Sequence, residues 1–519
     1  MASHNVRSTR PLLTCQGRAL ALALAASAVG QALPTAAQSV AGPVASAPAS
    51  IGQPPLQPVS LPEALMAAYR NNPDIGVARA QLRATDEGVP IARAQGLPSL
   101  QAAANFNHFI DPGLNNPTAP QNQFTAQAAL TMPIYQGGSV ANAISAAKQR
   151  VASGRHDLDS VGSNVFAQVV AAYLAVIRDE AVVGLNQKNV DALATNLKAT
   201  DARFQKGDLT KTDVAQSSQR LELARAQLVS SQIGLDASRE RYVRLVGAAP
   251  GVLAPPQPLV GLPMTADEAV ETALRNNPDL LSADAKVRAA NYDTRSAKGQ
   301  RLPRLAGVGT FTYNNYFNSL GGPYSSICSS QGTCFQHDRS AQVGAQMTLP
   351  LFQGGGPAAQ VRAAQARESA SLENANAVNR AVVETTRAAF YAWRASSAVI
   401  AASENAVAAA EQSLAGVRAE NKIGTRTIID LLNAEQELLS AQVQLVSARR
   451  DAYVAAFNLL TAMGQAQPRN LGIDQGQIYD PTDHYRRVAG SIWDWGSDPA
   501  PVAKSTTTTL VPIQDGLLR

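Results

Sequence analysis

Apolar positions between Val161 and Ile177 fall at three- and four-residue steps: Val161, Val165, Phe166, Val169, Val170, Tyr173, Leu174 and Ile177. That spacing draws one face of an α-helix. The stretch holding it runs without proline from the Gln136-Gly137-Gly138 turn to about Lys206 and is predicted as one very long helix. A break at Gly207 precedes a second helix from about Thr210 to Val246. Upstream, Leu65, Ala68 and Tyr69 mark a helical face in a stretch from Leu61 to about Gly96. Between these helices the period changes to two. Leu100, Ala102, Ala104 and Phe106 alternate with Gln101, Asn105 and Asn107, which predicts a strand over about 99–110, and a second follows at about 124–131. Pro, Asn and Gly fill the loop between them.

The same order occurs twice. Arg70-Asn71-Asn72-Pro73-Asp74 returns as Arg275-Asn276-Asn277-Pro278-Asp279, and Leu97-Pro98 as Leu302-Pro303, all 205 residues on. Pro133-Ile134-Tyr135-Gln136-Gly137-Gly138 returns as Pro350-Leu351-Phe352-Gln353-Gly354-Gly355, now 217 residues on. Gly207, Asp213 and Gly247 keep that second offset with Gly424, Asp430 and Gly464. The second copy therefore carries 12 extra residues between Pro303 and Pro350, in one loop between strands. Its long helix is predicted from about Pro357 to Ile423.

At about 1.5 Å per residue a helix of ~68 residues is a rod of roughly 100 Å, and the two shorter helices of one copy total roughly 110 Å. Two short helices stacked end to end thus run beside one long one. Four strands cannot close a barrel, and an open sheet in lipid leaves edges unsatisfied. Other copies must complete it, and three copies give twelve strands, with twelve rods about the same axis.

The ends narrow the reading. Arg7, Arg10 and Arg18, an apolar run from Ala19 to Val29 and Thr35-Ala36-Ala37 read as a signal peptide over 1–37. Without it, 41 basic residues face 39 acidic ones, and no basic block suggests nucleic acid. No later run of 18 or more apolar residues reads as a transmembrane helix. Mature histidines are His108, His156, His337 and His484, and no nucleophile, zinc or phosphate-loop motif is recognisable. Neither an enzyme nor a cofactor is expected. A coiled-coil stalk without a pore is the competing reading, but it does not need paired strands at the same place in both copies.

Gly424-Thr425-Arg426-Thr427-Ile428-Ile429-Asp430-Leu431-Leu432, the two Gln-Gly-Gly turns and the two Asn-Pro-Asp helix starts resemble the TolC family of outer-membrane efflux and type I secretion proteins. The resemblance covers roughly Leu61 to Gln465. It implies a mainly α chain with a small β part: a trimeric α-helical barrel continuous with a 12-stranded transmembrane β-barrel, four strands per chain. It implies a duct in the Gram-negative outer membrane with a long periplasmic extension and iris-like gating. The implied partners are outer-membrane lipid, a periplasmic membrane-fusion adaptor and an inner-membrane transporter of ABC, RND or MFS type. The chain then divides into the signal peptide, a Pro/Ala-rich segment (38–58), a first repeat (59–250), an equatorial linker (251–265), a second repeat (266–467) and a flexible tail (468–519).

Gly207 and Gly424 lie at the helix ends remote from the strands and mark the far tips. By resemblance, Arg426 ties the closed tip to Thr212 and Asp213, and Asn421 stands where the family has a Tyr. Asp430 matches an entrance charge ring whose second acid is here Asn433; Glu435 is the alternative source of such a ring. In the longer loop, Cys328 and Cys334 flank Gly332 and read as a disulfide staple. Trp493-Asp494-Trp495 is the large apolar feature of the tail, with packing on the helical barrel as one reading.

Overall fold

The computed structural model describes residues 58–110, 120–319, 336–472, 478–515 and 517–518. The signal peptide, nearly all of the Pro/Ala-rich segment and the Cys328–Cys334 pair lie outside the described residues.

The first repeat runs α1 (Leu61–Asn71), α2 (Pro73–Asp86), α3 (Gly88–Ala94), β1 (Ser99–His108), β2 (Asn122–Gln136), α4 (Ser139–Gln205) and α5 (Lys211–Val246). The second runs α6 (Ala266–Asn276), α7 (Pro278–Gly299), β3 (Arg304–Asn315), β4 (His337–Thr348), α8 (Gly356–Lys422) and α9 (Ile428–Ala462). The stretch expected as one helix from Leu61 is thus three. Pro73 ends the first, because it has no N–H for the helical ladder and restricts the residue before it.

That break explains the duplicated Asn-Pro-Asp. The Asn72 side chain accepts from the Asp74 N–H at 2.9 Å, capping α2, while its amide donates to the Leu245 carbonyl at 3.1 Å. Asn277 does the same in the second copy, accepting from Asp279 N–H and donating to the Ala462 carbonyl, both at 2.9 Å. Each buried Asn therefore satisfies the start of one helix and the last turn of the helix returning from the tip.

α4 is the spine of the chain. It packs against α1, α2, α3, α5, α7 and α9. Phe166, Val169, Val170, Tyr173 and Val176 are fully buried along it. α4 is also long and apolar enough to cross a membrane by length and composition, a property the sequence reading did not register; 56% of the window concerned is buried inside the protein. Near the tip a separate cluster of Leu193, Leu221, Leu414, Leu431 and Leu432 joins α4, α5, α8 and α9.

The tail departs from the expectation of a flexible segment. It carries α10 (Asp483–Val488), packed on α2. His484 is buried, with Nδ1 3.1 Å from the Asp86 carboxylate, and Arg155 stacks over the Tyr485 ring. Further on, the fully buried Arg239 donates to the Leu517 carbonyl and to Glu180, both at 2.9 Å. Buried polar partners hold the described part of the tail, and polar partners of this kind carry no periodic signal.

Candidate functional site: a two-faced sheet and a capped helical tip

The strands form one antiparallel sheet in the order β1-β2-β3-β4. Its register sorts the side chains. Leu100 stands opposite Leu130, Ala102 opposite Ala128, Ala104 opposite Ala126 and Phe106 opposite Phe124. Phe311 opposes Ala128 on one side and Ala341 on the other; Gly309 opposes Leu130 and Val343. Residues directly opposite share a face, so this face is apolar across all four strands from the level of Leu100 to that of Phe311, and takes in Arg339, Asn315 and His337 only toward its far end. The other face holds Gln101, Asn105, Gln127, Thr125, Thr310, Thr312, Gln342 and Ser340. A sheet with one apolar and one polar face, standing clear of the helical core, is the wall of a lipid-embedded barrel with a wet interior. Every residue of β1 and β4 is exposed, and neither has a partner strand on its outer edge among the described residues.

At the other end lie the two tips. Gly207 and Gly424 adopt φ of +85° and +82°, the left-handed conformation that ends each long helix. The helices returning from them begin alike. Thr210 caps α5, accepting from the Asp213 N–H, while the Asp213 carboxylate accepts from the Thr210 N–H at 2.8 Å and hydroxyl at 2.7 Å. Thr427 and Asp430 repeat this box at α9, with the corresponding bonds at 3.1 and 2.7 Å. The Thr427 bonds hold the Asp430 carboxyl below its ordinary range. Asp213 and Asp430, read from the sequence as a latch residue and an entrance-ring residue, thus have a local structural task as well. The Thr-x-x-Asp spacing at a helix start was the available signal.

Within one chain Arg426 does not meet Thr212 or Asp213. It donates from Nε to Glu420 at 2.8 Å, and this bond raises its pKa. Asn421 is buried; its amide donates to the Arg426 carbonyl at 2.9 Å, and Arg203 reaches its oxygen at 3.5 Å. Asn433 accepts from Arg220 at 2.8 Å. Glu435 is buried rather than facing the duct: it accepts from Asn196 at 2.8 Å on both oxygens and from Arg418 at 3.1 Å. It joins α4, α8 and α9, and its burial counts against it as the alternative source of the entrance ring. Its apolar neighbours Leu431, Leu432 and Leu439 give no hint in sequence of a buried acid.

The profile of the outer membrane efflux protein family matches residues 64–248 and 269–465, one segment for each repeat. The chain belongs to this family. It is an outer-membrane exit duct with a helical extension into the periplasm, and its family is one of transport channels. The chain is 29% identical over 429 residues to the outer membrane efflux protein BepC of Brucella suis, covering 83% of this chain and 90% of that one. It is 27% identical over 435 residues to outer membrane protein TolC of Escherichia coli, covering 80% and 84%. Among solved structures, the CmeC outer membrane channel of Campylobacter jejuni superposes with a TM-score of 0.68 at 17% identity, over 83% of this chain and 89% of that one. VceC of Vibrio cholerae superposes with a TM-score of 0.66 at 20% identity, over 78% and 96%.

Proposed function

We propose that three copies of this efflux protein close a twelve-stranded barrel and a ring of helices, and that cargo passes from the periplasmic tip through both to the exterior. The observation that carries this is the sheet with two open edges, an apolar face and a polar one. In lipid each unsatisfied backbone group costs several kcal/mol, so the edges must meet. The pairing of β4 with β1 of the next copy satisfies them, and four strands from each of three copies reach the size range of closed barrels.

The duct works with a periplasmic membrane-fusion adaptor and an inner-membrane transporter. Relatives named for alkaline protease secretion in Pseudomonas aeruginosa and for pyoverdine export in the same organism support a role in secretion or efflux. The gate lies at the tips. Arg426 leaves Glu420 to bind the neighbouring copy's Thr212 and Asp213 when the tip closes, so two acidic partners compete for one guanidinium. Each exposed charged link is weak because solvent screens it, and three symmetric links together bias the balance of open and closed states. Asp430, repeated about the three-fold axis, makes the entrance attract cations.

The test is a planar bilayer. Purified protein should migrate as a heat-modifiable trimer and conduct. A soluble monomer without conductance would sink the proposal. Polyvalent cations should block the current, and Asp430→Asn should relieve that block.

A further inference from the structure

The tail ends its helix beside the place where helices give way to strands. α10 climbs along α2 and α3. His484 sits at Asp86, with Nε2 3.6 Å from Glu87, and the Ala489 carbonyl accepts from Arg93 at 3.3 Å. The contacts thus advance by seven residues of helix, about 10 Å, toward Ser99, where β1 begins. The chain then turns: Gly496 N–H donates to the Trp493 carbonyl. It comes back, since Asp498 lies 3.6 Å from the same His484 and 3.3 Å from Arg487. Residues 490–497 are therefore the apex of a hairpin-shaped tail segment, held at both legs and aimed at the strands.

That apex carries Ile492, Trp493 and Trp495, which are 72%, 73% and 86% exposed. They do not rest on the helical barrel, as one reading of the sequence had it. The apolar face of the sheet starts at the beginning of β1, with Leu100 opposite Leu130, followed by Met132, Ile134 and Tyr135, all exposed. Past β4, Leu351 and Phe352 are exposed at 88% and 89%. Indole rings, with an apolar body and one N–H donor, are the side chains most suited to the boundary between lipid tails and water.

We propose that the 490–497 apex is an interfacial anchor, with Trp493 and Trp495 seated in the phospholipid headgroup layer on the periplasmic side of the outer membrane. This rests on the reading of β1–β4 as a lipid-embedded wall. The anchor fixes the height of the helical rods below the bilayer through the α10 contacts on Asp86 and Arg93, independently of the strands.

The test is tryptophan quenching in the assembled full-length protein, reconstituted into phosphatidylcholine vesicles brominated high on the acyl chain. Wild type is compared with the Trp493→Phe/Trp495→Phe variant, so the difference reports the tail alone. Roughly half or more of that difference emission should be lost to bromolipid, with a blue shift and protection from aqueous iodide. Tail emission quenched by iodide and untouched by bromolipid would overturn the anchor. Phe311→Trp, placed in the double-Phe variant, reports the apolar face of the sheet. If it is quenched by bromolipid and the tail is not, the anchor alone fails; if neither is quenched, the barrel reading fails with it.

Discussion

α4 and α8 are repeat-mates of equal length, 67 residues each, with the same Gln-Gly-Gly entry and the same glycine exit. Their surroundings differ. Twenty residues of α4 are buried, and eight of α8. α4 lies between α2–α3 on one flank and α7 on the other, whereas α8 has α7 on one flank and no counterpart on the other. The entry glycines say the same. A side chain at Gly137 would meet the Gly299 carbonyl at 2.2 Å; at Gly354 nothing lies within 4 Å. The two repeats are nearly equivalent in sequence plan, so the difference is one of neighbours. By the repeat, the element missing beside α8 is the counterpart of α7, which is α2–α3. Within the chain those helices already serve α4, and their other flank, with Val77 and Ile91, is exposed. In the proposed trimer a second copy supplies what the first lacks.

Substitutions at repeat-mate positions test whether the two rods differ in their neighbours. Phe166 on α4 is fully buried, and its repeat-mate Val383 on α8 is half-buried. Phe166→Ala should cost about 3–5 kcal/mol and Val383→Ala about 1 kcal/mol, read as loss of helical circular dichroism on heating. Equal losses would mean that the two rods are equally enclosed. Next, Gly137→Ala adds a backbone clash to left-handed strain and should cost about 3 kcal/mol or more. Gly354→Ala should cost a separate chain only the strain, about 1–2 kcal/mol, yet reduce assembly, because the neighbouring copy's α3 end should occupy that space. Sedimentation of both variants distinguishes the two effects.

A smaller effect concerns pH. Burial pushes the Asp159 carboxyl on α4 up to about 6, while its repeat-mate on α8 is the exposed, neutral Asn376. A raised carboxyl pKa opposes folding where the group is ionised. The penalty is absent below about pH 4, grows as pH rises toward 6 and is complete above it. Asp159→Asn should therefore stabilise the protein by about 1–3 kcal/mol at pH 7 and hardly at all at pH 4. Gain of the same size at both pH values would refute it. The smallest stability change should come from Arg426→Ser, with no resolvable shift in the melting transition because the residue is exposed. Single-channel conductance or open time should nonetheless rise. Unchanged conductance there and in Asp213→Ala would mean that helix packing alone closes the tip.

The rods, the strands and the duplication were legible because they rest on period, and 3.6 and 2 differ plainly over ten residues or more. The Asn-Pro-Asp motif was visible as a repeat but not as a clamp, since its partners Leu245 and Ala462 lie more than 170 residues away and offer only backbone carbonyls. Glu435 was misjudged and the burial of His484 was missed for one reason: a buried polar side chain is stabilised by partners from distant segments, here Asn196 and Arg418 for one and Asp86 for the other. The tip residues were located by resemblance, but the capping duties of Asp213 and Asp430 were local and could have been read.

A cross-link tests whether α8 receives α2–α3 of another copy. Inside the chain the Ser153 and Ser282 hydroxyls are 3.0 Å apart across α4 and α7. Their repeat-mates are Ala370 on α8 and Val77 on α2, both exposed on the single chain. In a chain with Cys328→Ser and Cys334→Ser, the Val77→Cys/Ala370→Cys pair should oxidise between copies. Non-reducing electrophoresis of membranes should show a ladder ending at three chains, with reduction returning the monomer. Monomer alone after oxidation, while Ser153→Cys/Ser282→Cys closes within the chain as expected, would contradict the account.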